Sequence, residues 1–125
     1  MEEKRLKQFT FYDLYYEALK GLPDEAAGRM TKNICRFMLT NEEIPEPQDD
    51  RENFFWSNIK DVLEEVKRIE ESGRKPKNLN EKMPHFVFME TYYKAIKLMT
   101  EAESGQYIKA ICEYMFYGCL LYTSD

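Results

Sequence analysis

Few residues here have types and spacing suited to chemistry. Metal coordination needs convergent His, Cys or carboxylate ligands, and the chain has one histidine, His85, beside Pro84. Cys35 and Cys112 lie 77 positions apart on what read as core-facing helix stripes. Buried structural thiols are expected there, not ligands or nucleophiles. Nucleophilic catalysis needs a nucleophile, a base and an orienting group, and no such motif surrounds Ser57, Ser72, Ser104 or Ser124. The acid pairs Asp13/Glu90 and Asp24/Glu101 recur at helix starts, where a carboxylate complements the helix dipole. No glycine pattern forms a phosphate cradle. The expectation is a non-enzyme with no catalytic residues, no metal and no cofactor.

Two sets of residues remain. Arg29, Lys32 and Arg36 fall on one side of a helix, opposite its apolar stripe. With Arg74, Lys75, Lys77 and Lys82 they are the candidate nucleic-acid contacts, since lysine and arginine neutralise phosphates. The second set is the aromatic run Phe54, Phe55, Trp56. Phe55 belongs to an apolar stripe, which leaves Phe54 and Trp56 as the candidate protein interface.

The elements that position these residues come in two copies. Phe9–Asn41 reads FTFYDLYYEALKGLPDEAAGRMTKNICRFMLTN and Phe86–Gly118 reads FVFMETYYKAIKLMTEAESGQYIKAICEYMFYG. Shifted by 77 positions they align without a gap and share 11 of 33 residues, among them Gly28/Gly105, Lys32/Lys109 and Cys35/Cys112. This points to an internal duplication.

In the first copy, Tyr12, Tyr15, Tyr16, Leu19 and Leu22 follow helical spacing and predict a helix from about Thr10 to Gly21, stopped by Gly21 and Pro23. A second helix is expected over 24–39, with Ala27, Met30, Ile34, Cys35, Phe37 and Met38 on one face. Gly28 costs that helix about 1 kcal/mol relative to alanine, so close approach of the first helix is its expected reason. NEEIPEPQDD reads as a loop. After it, Asp49 or Asp50 caps a third helix to about Glu71, striped by Phe55, Ile59, Val62, Leu63, Val66 and Ile69 and ended by Gly73. The second copy repeats the first two helices, with Thr100 and Glu103 forming a capping box.

These readings predict an all-α fold, a five-helix bundle made of a three-helix unit and two helices of a second. The expected divisions are a first repeat over 1–73, a basic, proline-containing linker over 74–85, and a truncated second repeat over 86–118. The two repeats are expected to pack as one domain. The closing CLLYTSD, 119–125, matches one frame of translation through a transposase end sequence used in library construction and is expected to be non-native. A third helix of the second copy would fall beyond Asp125. The apolar face of that copy is then expected to rest on the first repeat or to stand open and self-associate.

The totals narrow the class. A net charge of −5 with 33% charged residues argues against coating nucleic acid or an anionic membrane. No apolar run is long enough to span a bilayer, and MEEKRLKQF lacks the apolar core of a secretory signal. A cytoplasmic protein with reduced thiols is expected.

The repeated pattern is aromatic-x-aromatic, then YY-x-A-(I/L)-K, (T/P)-(D/E) and G-x-x-x-K-x-I, followed in the first copy by NEEIPEP and an amphipathic helix. It resembles an uncharacterised domain family of phages, prophages and Firmicute or gut bacteria. Some members of that family accompany phage replication and replisome-organiser proteins. Residues 9–72 cover one unit and 86–118 about half of another. The resemblance implies a phage or mobile-element setting and assigns no catalytic residues. The expected function is a non-enzymatic helical protein-interaction module of phage or mobile-element origin. The alternative is a nucleic-acid-binding accessory of phage replication. The partners expected are an unidentified protein, DNA under the alternative reading, no membrane, and a second copy through the uncovered second repeat.

Overall fold

Phe9 and Phe11 are buried on either side of a half-buried Thr10, and Phe86 and Phe88 are buried on either side of an exposed Val87. Residues two apart share a face only in an extended chain, and these two segments are strands. The structure, a computed structural model, describes residues 6–73 and 84–118. In it β1 (Gln8–Tyr12) pairs antiparallel with β2 (His85–Met89), Phe9 opposite Phe88 and Phe11 opposite Phe86. The all-α expectation is therefore corrected: the described residues form five helices and a two-stranded sheet. The helical spacing of Tyr12, Tyr15, Tyr16 and Leu19 hid a shorter period-2 signal just ahead of it. His85, expected in a linker, instead opens β2 opposite Tyr12.

The helices are α1 (Asp13–Leu19), α2 (Asp24–Leu39), α3 (Asp50–Glu71), α4 (Glu90–Lys97) and α5 (Glu101–Tyr117). α1 starts at Asp13, not Thr10, because β1 occupies the preceding residues. Local chemistry sets the other ends. Asp49 accepts from the Glu52 amide at 2.9 Å at the start of α3. Thr100 and Glu103 form the capping box of α5. Gly73 and Gly118 follow α3 and α5 at φ of 86° and 71°, in the left-handed region glycine tolerates.

Equivalent residues of the two copies make equivalent contacts across a pseudo-two-fold axis. The sheet register is symmetric about the Thr10–Val87 pair. Phe9 stacks on Phe88 at 5.1 Å between centroids, and its counterpart pair Phe86 and Phe11 does so at 5.1 Å. The Asp13 amide donates to the Pro84 carbonyl and the Glu90 amide to that of Lys7. Lys32 Nζ donates to the Met99 carbonyl at 3.0 Å, and Lys109 Nζ to that of Leu22 at 2.8 Å. α2 crosses α5 at the two glycines. A Cβ on Gly28 would overlap the Glu101 carbonyl, and one on Gly105 the Asp24 carbonyl. The small residue thus serves packing, but the neighbour it admits is α5, not the first helix.

Candidate functional site

α3 breaks the symmetry. It lies on β1, α1 and α2 and buries Phe55, Ile59, Leu63 and Val66 there. Among the described residues the second copy has no helix in the equivalent place, and burial differs accordingly. Tyr12 is 0% exposed and its counterpart Met89 43%, while Met38 is 1% and Met115 42%. Met30 and Ile34 are buried, whereas Tyr107 and Ile111 are only partly so. Phe37 is partly covered, its ring meeting Trp56 edge-on at 6.2 Å, while Tyr114 is half exposed. By contrast, residues near the pseudo-axis are buried in both copies, as with Leu19 and Ile96, or Cys35 and Cys112. Met89, Tyr107, Ile111, Tyr114 and Met115 thus form an open apolar seat on β2 and α5.

The first copy shows how such a seat is fixed when filled. Arg29 Nε donates to Glu52 Oε2 at 2.9 Å, and the Glu52 side chain is 1% exposed. Arg29 Nη1 also reaches Glu101 at 2.8 Å. Near the far end of α3, Lys67 Nζ donates to the Phe37 carbonyl at 2.6 Å and lies 4.8 Å from the Phe37 ring centroid. Thr10 Oγ1 donates to Glu70 Oε2 at 2.5 Å.

Glu70 also gives a pH test of this packing. Its Oε1 and the Tyr15 hydroxyl are buried without a hydrogen-bond partner among the described residues. Burial raises the Glu70 carboxyl above its ordinary range, against the lowering effect of Thr10. Burial, with the Glu70 charge added, pushes the Tyr12 phenol up to about 12. An acid whose folded pKa exceeds its unfolded value binds more protons in the folded chain. Its stabilising contribution is present below the ordinary carboxylate value and is lost as pH rises through the raised one. Glu70→Gln is therefore expected to match the wild type in urea midpoint at low pH and to exceed it at neutral pH. A difference between the two that stays constant across pH would refute the assignment.

The candidates drawn from the sequence fare unequally under this geometry, starting with the basic trio. Arg29, Lys32 and Arg36 do share one side of α2, but each is engaged inside the fold. Arg29 pairs with Glu52 and Glu101, and Lys32 with the Met99 carbonyl. Arg36 bonds Asn33 Oδ1 at 2.8 Å and lies 3.7 Å from Glu42. With Pro45, Glu46 and Gln48 the trio lines a cleft of about 160 Å³ whose acids offset its bases. Arg74, Lys75, Lys77 and Lys82 lie outside the described residues, as does the 119–125 tail. Phe54 is 70% exposed on α3, while Trp56 is half-buried against Phe37. The structure does not bring Phe54 and Trp56 to the open seat. The seat's helical residues were legible in sequence as the second copy's apolar stripe, expected either to rest on the first repeat or to stand open; Met89 was not among them. Among the described residues no helix is long and apolar enough to cross a membrane, and no group of three or more His, Cys, Asp or Glu is placed to hold a metal.

The family model described as "Family of unknown function (DUF6291)" matches residues 8–82. The matched stretch opens at the first residue of β1 and takes in all of α3. It covers more than half of the chain, and the chain belongs to this family. No curated protein and no solved structure matches it.

Proposed function

We propose, for this member of a family of unknown function, a non-enzymatic protein-interaction module that docks a partner on the open seat of β2 and α5. One observation carries the reading: Tyr12 and Met38, buried in the first copy, and Phe37, partly buried there, have exposed counterparts at Met89, Met115 and Tyr114. A contiguous apolar patch of this kind is the usual mark of a protein–protein site. A tandem duplication accounts for it, and both the 11 shared residues of 33 and the paired contacts about the pseudo-axis support that origin. The phage or mobile-element setting rests on the resemblance of the repeated pattern. A cytoplasmic location is supported by the free buried thiols of Cys35 and Cys112. The alternative, an accessory that binds DNA, has less support because Arg29, Lys32 and Arg36 already hold internal partners.

The test places a photo-crosslinking residue at Met115, or at Asn58 on the exposed side of α3, in the chain expressed in a prophage-bearing Firmicute host. The expected result is one adduct, identified by mass, from position 115 and none from 58, lost on Ile111→Asp. Equal labelling from both positions, or none from 115, would overturn the reading.

A further inference from the structure

The pseudo-symmetry identifies the occupant as well as the place. Resting on the docking reading above, we infer that the open seat takes an amphipathic α-helix laid as α3 is laid on the first copy, and that this helix is less acidic than α3 on its inner face. Three positions of the seat differ from their first-copy counterparts in ways that set the charge of what they accept. Where Arg29 holds the buried Glu52, the second copy has Gln106, exposed and uncharged. A carboxylate buried there would lose its cation, which is a costly arrangement. Where Thr10 donates to Glu70, the second copy has Val87, which donates no side-chain hydrogen bond. That position favours an apolar side chain.

Where Lys67 binds the carbonyl and ring of Phe37, the second copy has Tyr114 near the C-terminus of α5, its carbonyl already accepting the Gly118 amide at 3.0 Å and its ring half exposed. A cation fits over that ring, and the negative end of the helix dipole adds to the attraction. Glu113 stands where Arg36 stands in the first copy and accepts from the Tyr16 hydroxyl, so no cation stands there to hold an acidic helix. The partner helix therefore carries an apolar stripe spaced like Phe55, Ile59, Leu63 and Val66. It has a neutral residue at the Glu52 position, an apolar one at the Glu70 position and a cation at the Lys67 position.

The probe is a fluorescein-labelled synthetic peptide with the sequence of residues 49–72 carrying Glu52→Gln and Glu70→Leu, titrated by anisotropy against the full chain. It is expected to bind about tenfold tighter than the unmodified 49–72 peptide, because no carboxylate is stranded. Adding Lys67→Glu to the peptide, or Met115→Glu or Tyr114→Lys to the protein, is expected to weaken binding by about tenfold or more. Met115 and Tyr114 are exposed, so both protein variants keep the core intact, and an unchanged circular dichroism spectrum verifies it. Equal affinity for the two peptides, or tighter binding of the unmodified one, overturns the charge assignment. No binding by any peptide, with a crosslink still formed from position 115, overturns the helical occupant and leaves the docking reading standing. A free chain that sediments as a dimer, loses dimerisation on Met115→Glu and binds no peptide makes a second copy the occupant, and this too overturns the inference.

Discussion

Gly28→Ala and Gly105→Ala are each expected to destabilise the fold by about 3 kcal/mol, the upper range of overpacking costs. Helix propensity alone predicts the opposite sign, a gain of about 1 kcal/mol at each site. The crossing of α2 and α5 decides between them. A Cβ at Gly28 meets the backbone of Glu101 and of Gly105 itself, and one at Gly105 meets the backbone of Asp24. Backbone cannot rotate aside as a side-chain tip can, so the helices must separate. Separation would also draw Lys32 from the Met99 carbonyl and Lys109 from the Leu22 carbonyl and the Asp24 carboxylate. The two substitutions press on one crossing, so the double variant should cost less than the sum of the singles. Urea denaturation reads all three. A midpoint unchanged or raised in both single variants would mean the helices do not approach as described.

Arg29→Met is expected to cost about 3–5 kcal/mol, the usual penalty for stranding a buried charge. The Glu52 side chain is 1% exposed, and its Oε2 accepts from two nitrogens of Arg29. Its other oxygen accepts from the Gln48 amide at 3.2 Å, which does not neutralise the charge. The reverse change, Glu52→Gln, is expected to cost about 1–2 kcal/mol, because Arg29 keeps Glu101 and some contact with water. Combining Arg29→Met with Glu52→Leu should recover most of the loss, since an apolar pair of similar volume removes both desolvation penalties. Thermal or urea denaturation of the three variants checks this ordering. A cost for Arg29→Met below about 1 kcal/mol, as for an exposed ion pair, would show that Glu52 reaches solvent.

How much of this could be read from residue order alone depends on how far apart the interacting residues lie. The span of α2, a cap of α3 at Asp49 or Asp50, the Thr100–Glu103 capping box and the stop at Gly73 rest on neighbours within a few residues, and all were legible; the fold chose Asp49. So was the equivalence of the two copies, which needs no knowledge of contacts. The apolar stripes of α2, α3 and α5 were legible as stripes, for burial follows helical period.

Tertiary structure alone decided the rest. Phe9 and Phe11 became strand residues because Phe86 and Phe88, far along the chain, supply the paired edge and the stacking rings. A lone five-residue strand has no local hydrogen bonds to announce it, whereas a helix does. Arg29, Lys32 and Arg36 read as a free basic face, since their partners Glu52, Glu101 and Met99 come near only on folding, and Glu42 approaches Arg36 through the loop. The open seat is a mixed case: the second copy's stripe was expected either to rest on the first repeat or to stand open, and the fold decided between the two. Met38 and Met115 are the same residue in the same motif, and only the presence of α3 over one of them makes the first core and the second surface. Residue type sets how much a side chain gains by leaving water; whether it leaves depends on what the rest of the fold lays against it.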